Sequence, residues 1–168
     1  HTRSLCDWSS DVCSSDLGSS SGTSYLFEGG FPSTGSLSSN AAASWTGEAT
    51  NDRSGSSVAG VGDVNADGYD DVAIGASEGA IAGRAYVLFG PFSGTSALST
   101  ADVTLDAVTD TGSNLGVSLC GADVDGDGTP EVVVGDYADS TGGTGAGAVW
   151  IFDELTAGSY DKIGRAHV

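Results

Sequence analysis

The sequence contains no methionine, only three prolines and only five lysine and arginine residues among 168. The five basic residues are scattered. Phosphate contacts need clustered lysine and arginine, so this scarcity argues against nucleic acid as a partner. No apolar run approaches the roughly 18 residues of a membrane span. No long stretch carries the apolar spacing of an amphipathic helix. Histidine occurs only as His1 and His167, and cysteine only as Cys6, Cys13 and Cys120. What is abundant is glycine, with 27 copies, and acid, with 23 aspartates and glutamates and a formal net charge of −18. Short Val/Ile/Leu runs alternate with Gly/Ser/Asp-rich segments, which reads as many short strands joined by tight turns. The acidity serves solubility, or is partly neutralised by bound cations.

The two ends read as foreign to the protein. One DNA segment can encode residues 10–16 on one strand and residues 163–168, followed by a stop codon, on the other. That segment resembles a sequencing-library adapter. Residues 1–17 and 163–168 are therefore set aside from fold reasoning and expected to be disordered. Cys6, Cys13, His1 and His167 then drop out as metal ligands or disulfide partners. Residues 18–162 are expected to be an internal piece of a longer gene product, with 20 acidic residues against Arg53, Arg84 and Lys162. Without histidine in that piece, a His-dependent nucleophilic triad is excluded.

Residues 63–71 read DVNADGYDD, and residues 123–131 read DVDGDGTPE. Oxygen-bearing side chains fill the first, third, fifth and ninth positions of both: Asp63, Asn65, Asp67 and Asp71, then Asp123, Asp125, Asp127 and Glu131. Gly68 and Gly128 fill the sixth. Alternate carboxylates on a tight loop can converge on one hard cation, and calcium takes about six to eight oxygens at roughly 2.3–2.6 Å. Both loops are read as calcium sites. An EF-hand needs a glutamate at position twelve and flanking helices, whereas Ile74 and Val134 stand there in β-type runs. The nonapeptide repeats of calcium-binding β-helices have a far shorter period. A plain hairpin turn needs one Asp-Gly, not four spaced acidic or amide side chains twice.

The loops recur at 60 residues, and three aromatic-ended runs finish at Phe27, Phe89 and Phe152. A repeat near 60 residues organises residues 18–162. Strands are predicted at 57–61, 71–75, 84–89 and 103–106 for one period, with 90–100 as a turn-rich connection. The next period gives 117–121, 131–135 and 148–152. The end of an earlier one gives 24–27 and about 44–46. Four short strands per repeat match one blade of a β-propeller. The expected architecture is all-β: roughly two and a half blades of a propeller with four-stranded antiparallel blades. Residues 18–56 end one blade, 57–106 form a complete blade and 107–162 a truncated one.

These residues together resemble the FG-GAP repeat of integrin α-subunit N-terminal propellers and their bacterial relatives. The resemblance rests on Ser57-Val58-Ala59 leading into 62–71 and Val72-Ala73-Ile74-Gly75-Ala76, echoed by Ser118-Leu119-Cys120-Gly121 and 123–135. The name-giving elements depart from the pattern. Leu115-Gly116 replaces Phe-Gly, Ser54-Gly55 departs further, and Gly75-Ala76-Ser77 and Gly135-Asp136-Tyr137 replace Gly-Ala-Pro. The resemblance implies that the loop joins the first two strands of a blade. It also implies that the seventh residue, Tyr69 or Thr129, adds a main-chain carbonyl to the ligands. Asn65 removes one charge from the first site, so weaker binding is expected there.

Other residues receive plainer readings. Tyr86, Phe89, Trp150 and Phe152 are expected in the core. Trp45, on an expected outermost strand, is a candidate for exposure. Asp70, Asp136 and Asp139 are expected at the surface, and Cys120 as a buried hydrophobe. The expected role is a non-catalytic calcium-binding module that presents loops to a protein or glycan. Millimolar external calcium favours a secreted or cell-surface setting. The competing readings are an accessory propeller of an extracellular hydrolase or lyase, and a purely structural repeat.

Overall fold

A computed structural model describes residues 21–27, 36–77, 83–107 and 112–161. The two terminal stretches set aside above lie outside them. The elements in chain order begin with β1 (Thr23–Leu26), a single helical turn α1 (Leu37–Asn40) and β2 (Ala43–Thr46). The long β3 (Ser54–Gly62) follows, then β4 (Asp71–Ala76), β5 (Arg84–Leu88), β6 (Gly94–Ala97) and β7 (Val103–Asp106). Last come β8 (Ser118–Ala122), β9 (Glu131–Asp136), β10 (Ala148–Phe152) and β11 (Gly158–Asp161).

Side chains alternate across a strand, so each strand offers two faces. In the central blade, β3, β4, β5 and β7 pair antiparallel in that order. One face carries Val72, Ile74, Ala76, Tyr86 and Leu88, which pack with Leu26, Ala43 and Trp45 of the preceding sheet. The other face carries Ala73, Ala85, Val87, Val103 and Leu105, which pack with Val132, Val134, Trp150 and Phe152 of the following sheet. The core lies between the stacked sheets. Tyr86, Trp150 and Phe152 are buried as expected, and Phe89 packs against the second of these cores. The three sheets form part of a β-propeller.

Backbone proximity explains the motif glycines. A Cβ on Gly75 would lie 2.0 Å from the Gly116 carbonyl oxygen and 2.3 Å from the Ser57 hydroxyl. Gly116, at φ +88°, would place its own Cβ 2.1 Å from the Arg84 carbonyl oxygen. Gly75, near the end of β4, and Gly116, which opens the next repeat, therefore touch backbone to backbone, and the Ser57 hydroxyl donates to the Gly116 carbonyl at 2.6 Å. Only a residue without Cβ fits such an approach.

The structure adds two strands, one in the stretch expected to be turn-rich and one in the part of the last blade for which no strand was predicted. Gly94–Ala97 (β6) pairs parallel with β2 of the preceding blade, and Gly158–Asp161 (β11) pairs parallel with β7. Each sits 64 residues from its counterpart and crosses to the outer edge of the blade before it. The central sheet therefore has five strands, β11-β7-β5-β4-β3. Arg84 reinforces this stitching by donating to Asp106 and, at 3.0 Å, to Glu48 after β2. Ser159 of β11 donates to Asp106 as well.

Two expectations are corrected here. Trp45 is only 6% exposed, because β6 covers the edge of β2 and Phe92 meets the indole edge-on at 5.4 Å between ring centroids. Cys120 is exposed rather than buried. It points to the side of β8 opposite Leu119, which packs inward.

Candidate metal centres

The loop over residues 63–70 closes the β3–β4 hairpin, and the loop over residues 123–130 closes the β8–β9 hairpin. Strand register pairs Gly62 with Asp71 and Ala122 with Glu131. That pairing carries the first and ninth loop positions to the same end of each hairpin. Gly68 and Gly128 turn the chain at φ +94° and +98°, where a Cβ is disfavoured.

The aspartates then fold the loop around themselves, because short side-chain oxygens capture nearby N–H groups. In the first loop, Asp63 accepts from the Asp67 N–H at 2.9 Å and the Gly68 N–H at 2.8 Å. Asn65 Oδ1 accepts from the Asp67 N–H at 3.0 Å, and Asp67 Oδ1 from the Tyr69 N–H at 2.9 Å. Asp71 Oδ2 accepts from the Val64 N–H at 2.9 Å, and Oδ1 from the Gly90 N–H at 2.9 Å. The second loop repeats the scheme. Asp123 accepts from Gly126 and Gly128, Asp125 from Asp127, Asp127 from Thr129, and Glu131 Oε2 from Val124 at 2.6 Å.

Asp123, Asp125, Asp127 and Glu131 each place a carboxylate oxygen within 4.8 Å of the others. In the first loop the same turns join Asp63, Asn65 and Asp67, but among the described residues only the second loop's carboxylates all meet within that distance. The first loop carries one charge fewer, and the Asn65 amide donates to Asp67 Oδ2 at 2.9 Å. Tyr69 and Thr129 stand two residues after the fifth-position aspartates, beyond the turn glycines. Tyr69 is exposed and Thr129 half-buried.

Burial separates the ninth position from the rest. Asp71 is 0% exposed and Glu131 3%. Burial pushes the Asp71 carboxyl up to about 6; the Gly90 and Val64 N–H groups oppose this, and the charges of Asp67 and Asp63 add to it. Glu131 Oε1 is buried with no hydrogen-bond partner. A buried carboxylate oxygen without a partner is costly, and a cation relieves that cost. The donor set is all oxygen and mostly anionic, which suits a hard divalent ion.

Neither the Val64 N–H nor the Gly90 N–H was legible as part of the site; Gly90 arrives from beyond the end of β5. Asp70 is half-buried rather than fully at the surface. Asp136 and Asp139 are not surface charges: they are 1% and 0% exposed. Asp136 accepts from the Ser113 hydroxyl and from the Asn114 N–H at 2.9 Å, and Asp139 from the Thr141 N–H at 2.8 Å. Both carboxylates organise the turns around them, which offsets their desolvation.

Stacked sheets of this kind, two of them with an acidic hairpin loop between their first two strands, define a repeat of the propeller class. The family profile described as FG-GAP repeat matches residues 54–88 and 115–152. The chain belongs to the FG-GAP repeat family. It is 41% identical over 98 residues to integrin alpha-IIb of Mus musculus, covering 56% of this chain and 9% of that protein. The Homo sapiens integrin alpha-IIb is 40% identical over 93 residues, 55% of this chain and 9% of that protein. Phosphatidylinositol-glycan-specific phospholipase D of Bos taurus is 39% identical over 121 residues, 69% of this chain and 14% of that protein. The chain thus spans about a tenth of the length of these relatives. No described helix is long and apolar enough to cross a membrane.

Proposed function

We propose that the chain is a calcium-binding, non-catalytic propeller module that works outside the cell, secreted or on its surface, and presents its loops to a protein or glycan. The observation that carries the reading is the buried, unpartnered Glu131 Oε1 at the edge of three converging aspartates. Asp123, Asp125, Asp127 and Glu131, with the Thr129 carbonyl, would hold one ion. Asp63, Asn65, Asp67 and Asp71, with the Tyr69 carbonyl, would hold another. When bound, the ion neutralises the clustered carboxylates and clamps the first hairpin of its blade. Modules with exposed ligands of this kind fill at the millimolar calcium found outside cells.

Calcium titration by calorimetry tests the reading. Two sites are expected in the wild-type chain and one each in Asp67→Ala and Asp127→Ala. Absence of binding heat in a folded chain refutes it. A screen against glycans and proteins, repeated with a chelator, tests the partner: binding lost with the chelator supports a calcium-ordered docking face.

A second reading is favoured by the similarity to a phospholipase D. In it, the propeller is an accessory part of a larger hydrolase whose reacting groups lie elsewhere. Hydrolysis measured on the full-length gene product, with and without these repeats, separates the two.

A further inference from the structure

The two acidic loops are neighbours in the packing as well as in the repeat. Gly62, directly before Asp63, sits against the ring of Pro130, directly before Glu131: a Cβ on Gly62 would lie 2.9 Å from Pro130 Cγ. Behind this contact the two entry strands meet backbone to backbone, since a Cβ on Gly121 would lie 2.3 Å from the Val61 carbonyl oxygen. Val61 and Val64 flank Asp63 and are 1% and 3% exposed. They share one core with Val132, the residue after Glu131. Val124, the second-loop counterpart of Val64, is 54% exposed and makes no such core. The first loop is therefore wedged against the strand that delivers the ninth ligand of the second.

From this contact we infer that the two loops bind calcium as a coupled pair, with occupancy of one raising the affinity of the other through the Gly62–Pro130 contact and the Val61/Val64/Val132 packing. The inference rests on the proposal that both loops hold calcium. Metal in the first loop fixes Asp63 and Asp71, hence the backbone from Val61 to Val64. That surface in turn fixes Pro130 and Glu131. Coupling of this kind is reciprocal by thermodynamic necessity. Repulsion between the bound ions works in the opposite sense, but Asp67, Asp123, Asp125 and Asp127 open each loop to solvent, where charges are screened over about 8 Å at physiological salt. The packing contact is not screened.

The test is a calorimetric calcium titration of the whole chain at physiological salt, comparing wild type with Asp67→Ala and Asp127→Ala. Each single-loop variant reports the uncoupled affinity of the loop it keeps. The product of the two wild-type binding constants should exceed the product of the single-loop constants by about fivefold or more. Pro130→Ala removes the ring without touching a ligand oxygen, and should bring the two products together while both sites still bind. Gly62→Ala should do the same where it folds. If both single-loop variants bind and the products agree in wild type, the coupling is overturned while the calcium reading stands. If coupling persists in Pro130→Ala, the proposed route is overturned. If the folded wild-type chain binds no calcium, the calcium reading itself fails and the coupling with it.

Discussion

Gly75→Ala places one methyl group where the central blade meets the next. Its Cβ would lie 2.0 Å from the Gly116 carbonyl oxygen. That oxygen cannot swing away freely, because the Ser57 hydroxyl donates to it at 2.6 Å and the Gly116 N–H donates to Gly135 at 3.2 Å. Relief requires β4 and the segment around Gly116 to separate, loosening the core beneath. Overpacking of this kind costs roughly 1–3 kcal/mol. Losing the Ser57 hydrogen bond adds about 1 kcal/mol. The expected loss is therefore about 2–4 kcal/mol, or a fall in Tm of roughly 10 °C for a domain of this size. Thermal unfolding followed by near-ultraviolet circular dichroism reads it. Gly142→Ala is the control, since its Cβ would meet only Ala146 Cβ at an ordinary 3.5 Å. A Gly75→Ala chain that melts together with that control would refute the account of how the blades pack.

Further outcomes are expected. Ala66 holds φ +58°, where the second loop has Gly126 at +84°; Ala66→Gly should stabilise the chain by about 1 kcal/mol, measured by urea unfolding. Asp71 is raised to about 6, mainly by burial, so in the metal-free chain the folded state holds this proton more tightly than the unfolded state. The stability this gives is present below about pH 4 and is lost as pH rises through about 6. Calcium must displace the same proton, so first-site affinity measured by titration should fall as pH drops below about 6, approaching tenfold per unit. Cys120 is exposed, so a thiol reagent should modify it in the native chain without first unfolding it; protection until unfolding would contradict its placement.

Much of this architecture was legible because it is local. The strand at 103–106 was placed at its observed bounds, and β4 and β5 to within a residue at one end, since alternation and the flanking turns are sequence-near signals. Positions three and five of each loop were legible because their side chains accept from the N–H two residues on, the local geometry of an Asx turn. What escaped is long-range or buried. Gly94–Ala97 has no apolar alternation, and its strand character comes from pairing with β2 across 51 residues, as in the Ser44–Thr95 hydroxyl contact. The same pairing buries Trp45. Asp136 and Asp139 read as surface charge in a Gly/Ser/Thr-rich stretch, because the N–H groups that receive them become visible only once the turns are formed. Cys120 stands in a small apolar run, but only one side of β8 packs against a neighbouring sheet.

The central claim is that the acidic hairpins are calcium clamps that hold the blades. It is tested most directly by unfolding the wild-type chain in excess calcium and in chelator, at fixed pH and ionic strength. At free calcium about 100 times the dissociation constant, a single site adds about 2.7 kcal/mol, which raises Tm by roughly 5–10 °C. Two filled loops should raise it further, and Asp127→Ala should remove part of the rise. Superimposable melts in calcium and in chelator would contradict the account.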